Sequence, residues 1–292
     1  MLIAHPFFAL LFACAVAGTP VQVFHQDAPA AQPTVDTTVP VPFNLQNAKF
    51  IAGLFWATPG SGAFRQCSAS VIASTVLVTS AACANAEYAR SLHGPGQWLI
   101  AAGSDKRYMP HLPDTAQEHS VVKSIDVDSE TNFAIIELEA PLELSDSIRP
   151  IVISTQTGIP GTANLNMYNT TDLTYSPFVK LMQGTEAECK GVVPGYPQDK
   201  FFCTMPVRNQ SVFGDRLGGD PIVGYTLLTN APTALLVGIT GSYYSKSSPT
   251  LAGQKNDPSA YRFNSIVAAH IERIASAANA SVSSIANAGP LA

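Results

Sequence analysis

The chain has 292 residues, 46% of them hydrophobic, and its 16 Lys and Arg stand against 21 Asp and Glu, which gives a formal net charge of -5. A chain of this length buries a sizeable core, either as two domains or as one large all-β domain of two barrels. Because the charge balance is acidic and no basic run stands out, nucleic acids, heparin-like glycans and anionic membranes are excluded as expected partners.

The first elements in chain order are a targeting segment and an arm. Residues 1–17 hold an apolar run that ends at Ala15-Val16-Ala17, which predicts a secretory signal peptide cleaved after Ala17. The alternative is a buried or membrane-spanning segment, but this run is too short to cross a bilayer. Residues 18–47 are rich in Pro, Thr, Gln and Ala, which predicts an extended N-terminal arm.

Short strands and turns follow the arm. Residues 48–64 predict a strand broken by a Pro-Gly-Ser-Gly turn. Residues 66–84, QCSASVIASTVLVTSAACA, predict a hairpin, because two short apolar runs flank the small polar turn at residues 73–75. Cys67 and Cys83 lie at its two ends, where a disulfide would close it.

This hairpin resembles the first barrel of the chymotrypsin/trypsin-like serine proteases, which carries C-G-G-S-L-I, a turn and W-V-L-T-A-A-H-C. In an ungapped alignment, Ser70 matches the Ser of that motif and residues 79–83 match T-A-A-H-C. Ala82 then occupies the position of the general base. An imidazole takes up the nucleophile's proton and returns it to the leaving group, and a methyl group can do neither.

The resemblance continues after the next predicted strands, at residues 98–102 and 120–127. Residues 132–138, NFAIIEL, match the family's D-I-A-L-L-K-L, and residues 148–151 match its I-R-P-I. This register places Asn132 at the position of the triad's Asp. Since Ala82 offers no imidazole to orient, Asn132 is interpreted as a buried amide that bonds the neighbouring backbone.

The second half of the chain is less similar to the family. The segment between Cys189 and Cys203 is predicted to be a loop from its Gly and Pro content. Residues 214–223, GDRLGGDPIV, resemble G-D-S-G-G-P-L-V with two extra residues. The nucleophile position is therefore Arg216 or Leu217, and neither side chain is a hydroxyl.

The last predicted element is a C-terminal helix at residues 261–277, where apolar side chains recur at helical spacing. His270 lies on the same face of this helix and is interpreted as a packing residue.

The cysteines and sequons fit an extracellular protein. Without Cys14 of the signal peptide four cysteines remain, which implies two disulfides with three possible pairings. The resemblance implies the pairs Cys67–Cys83 and Cys189–Cys203. Free or metal-bound thiols are disfavoured because no CxxC or Cys-near-His cluster is present. Three Asn-x-Ser/Thr sequons predict glycosylation at Asn169, Asn209 and Asn279.

The resemblance implies an all-β fold of two packed six-stranded antiparallel β-barrels with a C-terminal helix. It divides the chain into a signal peptide (1–17), an arm (18–47), a trypsin-like domain (48–277) and a flexible tail (278–292). The first barrel spans about residues 48–155 and the second about residues 160–277.

Three positions of the protease machinery are replaced, so we expect an inactive protease homologue rather than an enzyme. The T-x-A-A-C motif, the replaced nucleophile, the secretion signal and the AKxxxGLxxA…AFxC segment are similar to the oomycete glucanase inhibitor proteins. This resemblance implies a secreted protein that inhibits a host plant endo-β-1,3-glucanase in the apoplast and suppresses defence triggered by glucan fragments. An extracellular adaptor with another protein partner and a residual serine peptidase are the alternatives. No cofactor or metal is expected, since no HExxH, P-loop or similar motif is present.

Overall fold

The computed structural model describes residues 48–103, 118–161, 163, 165–168, 178–193, 195, 197–206, 218–226, 233–244, 261–287, 289 and 291. All of them belong to one compact unit, Pro40–Ala292. The predicted signal peptide and N-terminal arm, residues 1–47, lie outside the described residues.

The first half of this unit is a closed barrel of six antiparallel strands. The six strands are β1 (Ile51–Thr58), β2 (Gly62–Ala73), β3 (Val76–Thr79), β4 (Gln97–Ala102), β5 (Glu118–Asp128) and β6 (Phe133–Leu138). The predicted hairpin forms β2 and β3, and β1 pairs with both β2 and β4. The ring order is β1-β2-β3-β6-β5-β4. One helix, α1 (Ala86–His93), lies between β3 and β4 in the chain.

The second half is another closed barrel of six antiparallel strands, which follows the linking strand β7 (Val152–Ser154). The strands are β8 (Leu165–Tyr168), β9 (Phe178–Gln183), β10 (Phe201–Pro206), β11 (Pro221–Thr226), β12 (Thr233–Tyr244) and β13 (Tyr261–Ile266). Their ring order is β11-β8-β9-β10-β13-β12, and pairing of β11 with β12 closes the barrel.

A shared apolar layer packs the two barrels and the C-terminal helix together. Strand β3 shows how the sequence builds it, because Leu77 points into the first barrel while Val76 and Val78 belong to the shared layer. Successive side chains of a strand face opposite sides. A strand buried on both faces therefore needs the continuous apolar run seen in the sequence. The predicted fold of two six-stranded barrels with a C-terminal helix is confirmed.

The C-terminal helix begins later than predicted. Residues 261–266 form strand β13, which pairs with β10 and β12. A 3₁₀ helix (Val267–His270) follows, and α3 (Ile271–Ala277) completes the helix. All six residues of β13 are buried, so tertiary pairing outweighs the helical spacing of the apolar residues.

The segment between Cys189 and Cys203 is only partly a loop, because helix α2 (Glu186–Val192) runs into it. Thr185 and Glu188 form a reciprocal capping box at its N-terminus, which satisfies two backbone donors. Lys190 also pairs with Glu186 one turn earlier. Gly and Pro content alone therefore does not reveal the helix at the start of this segment.

The described residues of the segment expected to form a flexible tail, 278–287, 289 and 291, pack on the barrels. They include helix α4 (Val282–Ile285) and strand β14 (Ala286–Asn287), which pairs in parallel with β7. Ile285 is buried in the shared layer and Leu291 in the core of the second barrel. Burial of these apolar side chains explains why the segment is ordered.

Both predicted disulfides are confirmed. Cys67–Cys83 links β2 to the turn after β3, and Cys189–Cys203 links α2 to β10. In each bond the two Cα atoms lie about 6 Å apart, which is the usual spacing for a disulfide.

Candidate functional site

The position of the expected general base lies in a tight turn between β3 and α1. The hydroxyl of Ser80 accepts a hydrogen bond from the Cys83 amide at 3.2 Å, and the Ser80 carbonyl accepts one from the Ala84 amide. With the Cys67–Cys83 disulfide, these bonds fix the half-buried Ala82 at the end of the first barrel. Its side chain is a methyl group, so no proton can be taken up there.

Asn132 lies directly beside Ala82. Its Oδ1 accepts a hydrogen bond from the Ala82 amide at 3.0 Å, and its carbonyl accepts one from the Ala81 amide at 3.1 Å. Asn132 has a positive φ of 51°, which Asn tolerates better than most residues. The structure therefore brings together two of the three predicted positions. The side chain bonds the neighbouring backbone as expected, although the residue is half-buried rather than fully buried.

The third position, Arg216 or Leu217, lies outside the described residues. The next residues are described and pack against the hairpin disulfide. Gly218 and Gly219 have φ values of 78° and 91°, and a Cβ on Gly219 would lie 2.6 Å from the Sγ of Cys83. A Cβ on Gly218 would lie 2.2 Å from the carbonyl oxygen of Thr240. Only glycine fits both positions.

The residue after these glycines joins the two barrels through a buried hydrogen bond. Asp220 is 0% exposed, and its Oδ1 accepts a hydrogen bond from the Ser68 hydroxyl at 3.2 Å. Arg65 donates to the same hydroxyl from Nη2 at 3.0 Å. The Asp220 amide donates to Thr240 Oγ1 at 2.8 Å, and its carbonyl accepts from the Thr240 amide.

The sequence does not predict this link. Asp220 is one of the two extra residues in the match to G-D-S-G-G-P-L-V, with Leu217, and nothing in the sequence relates it to Ser68, since 152 positions separate the two. The available signal is a charged residue between two glycines and the apolar residues 221–223. A buried charged group of this kind requires hydrogen-bond partners.

The described histidines lie in different surroundings. His93 stacks on Phe64 with ring centroids 4.3 Å apart, and His119 is exposed on β5. His270 is 4% exposed and stacks on Phe133 at 4.1 Å, which agrees with its interpretation as a packing residue. Burial lowers the pKa of His270 from 6.5 to about 4, although the nearby carboxylate of Asp128 raises it in part.

An ion-pair group fastens the C-terminal helix to the first barrel next to His270. Arg273 on α3 donates to the Asp126 carboxylate at 2.6 Å and to the Asp128 carboxylate at 3.2 Å. Burial opposes ionisation of Asp128, but its hydrogen bond from the Thr131 amide and its electrostatic interactions with His270 and Arg273 outweigh burial, so its pKa is lowered. Both aspartates belong to β5, so these pairs anchor the helix.

The glycosylation predictions can be located only in part. Asn279 is exposed in the turn after α3, whereas Asn169 and Asn209 lie outside the described residues. In the part of the chain that the structure describes, no group of three or more His, Cys, Asp or Glu side chains is arranged to hold a metal ion. No helix within the described ranges is long and apolar enough to cross a membrane.

Two closed six-stranded barrels, a C-terminal helix and a disulfide-closed hairpin beside a Gly-Gly segment define the trypsin-like double-barrel fold. In comparisons with known proteins, no protein-family model and no curated sequence matches this chain.

Proposed function

We propose that this protein is a secreted, proteolytically inactive serine protease homologue that binds and inhibits a host plant endo-β-1,3-glucanase. The observation that carries the first half of the proposal is the contact between Ala82 and Asn132. The two positions are adjacent, as the base and its orienting residue must be, but the side chain at the base position is a methyl group.

The size of the loss in turnover expected from these replacements supports a role in binding. In subtilisin, which has the same triad on another fold, loss of the His or the Ser costs about 10⁶ in turnover. The chain also carries no hydroxyl at Arg216 or Leu217, the two candidate nucleophile positions. A rigid scaffold that carries loops around a cleft without catalytic groups remains suited to recognition of another protein.

The extracellular location and the choice of partner rest on separate arguments. Two disulfides are typical of proteins from oxidising compartments, which supports secretion. The glucanase partner rests on the resemblance to oomycete glucanase inhibitor proteins, carried mainly by residues 48–84. Inhibition of the host enzyme would suppress defence triggered by glucan fragments.

The test is an inhibition assay with the purified secreted chain and purified plant endo-β-1,3-glucanases, with laminarin as substrate and reducing ends as the readout. Dose-dependent loss of hydrolysis with a finite inhibition constant supports the proposal. Unchanged hydrolysis together with capture of a different apoplastic protein favours the adaptor alternative.

An active-site serine phosphonate tests the peptidase alternative on the same preparation. We expect no labelling. Stoichiometric labelling of the chain would refute proteolytic inactivity, whatever the glucanase assay shows.

A further inference from the structure

The last part of the chain forms a segment that lies against both barrels. We call its described residues, 270–287, 289 and 291, the C-terminal strap. Ile274 and Ile285 pack in the shared apolar layer, Leu291 packs in the core of the second barrel, and β14 pairs with β7. Strand β13, which precedes the strap, is paired on both sides and belongs to the second barrel. A peripheral segment of this kind can open while the barrels remain folded.

The strap begins at a change of helix type. The 3₁₀ helix (Val267–His270) ends at the first residue of the strap, and α3 follows from Ile271. Hydrogen bonds in a 3₁₀ turn have poorer geometry than those in an α-helix. This junction is therefore the place where the strap would pivot.

The His270 side chain at this junction is poorly placed to hold an added proton. It is 4% exposed and stacks on Phe133, and its Nδ1 lies 3.4 Å from Arg273 Nη1 and 3.9 Å from Asp128 Oδ2. A neutral Nδ1 can accept a hydrogen bond from Arg273, whereas a protonated imidazole carries an N–H donor at both nitrogens. Neither donor would find an acceptor within hydrogen-bond distance among the described residues, because Asp128 is too far away and Nε2 is buried without a partner there. A buried donor without an acceptor costs free energy.

Charged groups face this imidazole from three parts of the fold. Arg273 lies on α3, Asp126 and Asp128 lie on β5, and Lys200 lies just before β10. Arg273 already binds both carboxylates, and Lys200 lies 3.5 Å from the Glu130 carboxylate. A positive charge on the imidazole would therefore compete with Arg273 for Asp128. Burial and the two cations outweigh the two aspartates, which holds the pKa of the imidazole at about 4 instead of 6.5.

We propose that the C-terminal strap is an acid-released cover: protonation of His270 breaks its contact with Arg273, and the strap then opens away from both barrels at the 3₁₀ turn. Opening leaves β7 without its partner β14 and exposes Phe133 with the adjoining apolar layer. The strap covers this surface at neutral pH, so acid controls when an apolar face of the fold becomes accessible. The inference goes beyond the proposed function and does not depend on a glucanase partner.

The test is amide hydrogen exchange of the purified secreted chain at pH 7 and pH 5, read by mass spectrometry and corrected for intrinsic exchange rates. It compares peptides from residues 271–287 of the strap with peptides from residues 62–79 of the β2–β3 hairpin. The opening constant of the strap should rise about 20-fold from pH 7 to pH 5, because His270 binds its proton with a pKa of about 4 in the closed strap and 6.5 in the open one.

At each pH the opening constant of the strap should also exceed that of the hairpin. Equal opening constants for the two segments would show that exchange occurs by global unfolding, and would overturn the proposal. An opening constant of the strap that does not change with pH would overturn it as well. This comparison needs no variant, so it decides the proposal even where position 270 tolerates no substitution.

Two variants assign the pH effect to His270. His270→Phe keeps a flat ring on Phe133 but cannot titrate, so the opening constant of its strap should stay nearly constant between pH 7 and pH 5. Ile285→Ala removes a buried contact outside the charged cluster, so it should raise the opening constant at both pH values and keep the ratio of about 20 between them. The same ratio in His270→Phe, or its loss in Ile285→Ala, would overturn the proposal.

Discussion

His270 makes the stability of the fold depend on pH, and the size of the effect follows from its surroundings. The ring is buried between the C-terminal helix and Phe133, on which it stacks. Its Nδ1 lies 3.9 Å from the Asp128 carboxylate and 3.4 Å from Arg273 Nη1. The carboxylate favours the protonated ring, but the guanidinium and the loss of water around the ring disfavour it, so the pKa falls to about 4.

The folded chain therefore holds His270 neutral, while the unfolded chain takes up a proton below a pKa of 6.5. Stability from this group is fully present above the unfolded pKa and is lost as the pH falls towards about 4. Because proton binding is linked to folding, the unfolding free energy falls by about 2 kcal/mol between pH 7 and pH 5, and by about 3 kcal/mol in total at lower pH. The pKa of Asp128 is lowered, so its own contribution disappears only below its ordinary pKa of 3.8.

The assay is urea unfolding of the wild type and of His270→Phe at several pH values between about 7 and 5. Phe keeps the flat ring on Phe133 but cannot titrate. Groups that titrate in the same way in both proteins cancel in the difference between the two unfolding free energies. As the pH falls from 7 to 5, the wild type should lose about 2 kcal/mol of unfolding free energy relative to His270→Phe. A difference that stays constant with pH, or a His270 ring pKa above 6 by nuclear magnetic resonance, would refute the reasoning.

Three further predictions concern buried contacts. Ser68→Ala removes the hydroxyl that donates to the buried Asp220 carboxylate, so the unfolding free energy measured in urea should fall by about 1–3 kcal/mol. An unchanged unfolding free energy would mean that another group satisfies that oxygen. Gly219→Ala should lower the melting temperature more than Gly60→Ala. Both glycines have positive φ, but only at Gly219 would an added Cβ collide with other atoms. Equal shifts of the melting temperature would contradict this collision. Ile285→Ala should cost about 2 kcal/mol or more in urea, whereas a flexible tail would show no effect.

Much of the fold could be predicted because its signals are local. The β2–β3 hairpin follows from two apolar runs and a polar turn, and its disulfide from two cysteines at its ends. The strand β3 is apolar at every position but the last, Thr79, because the first barrel lies on one side of it and the shared layer on the other.

The elements that were missed depend on pairing between distant residues or on caps. Residues 261–266 have apolar spacing that suits either a helix or a strand, and only pairing with β10 and β12 decides for the strand. The helix α1 could have been found from its N-cap, Asn85, which precedes eight residues free of Gly and Pro. The tail strand β14 offers no such signal, since its two residues are ordered by pairing with β7.

The candidate site also has one part with a local sequence signal and one part that depends on distant residues. The pair of Ala82 and Asn132 follows from matching short motifs, and the structure places the two in contact. The Ser68–Asp220 link could not be predicted, because it needs the relative position of the two barrels.

The Gly-Gly segment shows that packing alone can require part of a protease-like motif. A side chain at Gly218 would collide with the Thr240 carbonyl, and one at Gly219 with the Cys83 sulfur. The first collision lies within the second barrel and the second lies between the two barrels, and neither involves the side chain of Ala82 or Asn132. Packing alone therefore requires these glycines, so their presence says nothing about proteolysis. The hydrogen bond from Ala82 to Asn132 uses the backbone amide and sets no requirement on the side chain, which makes that position the more informative one for function.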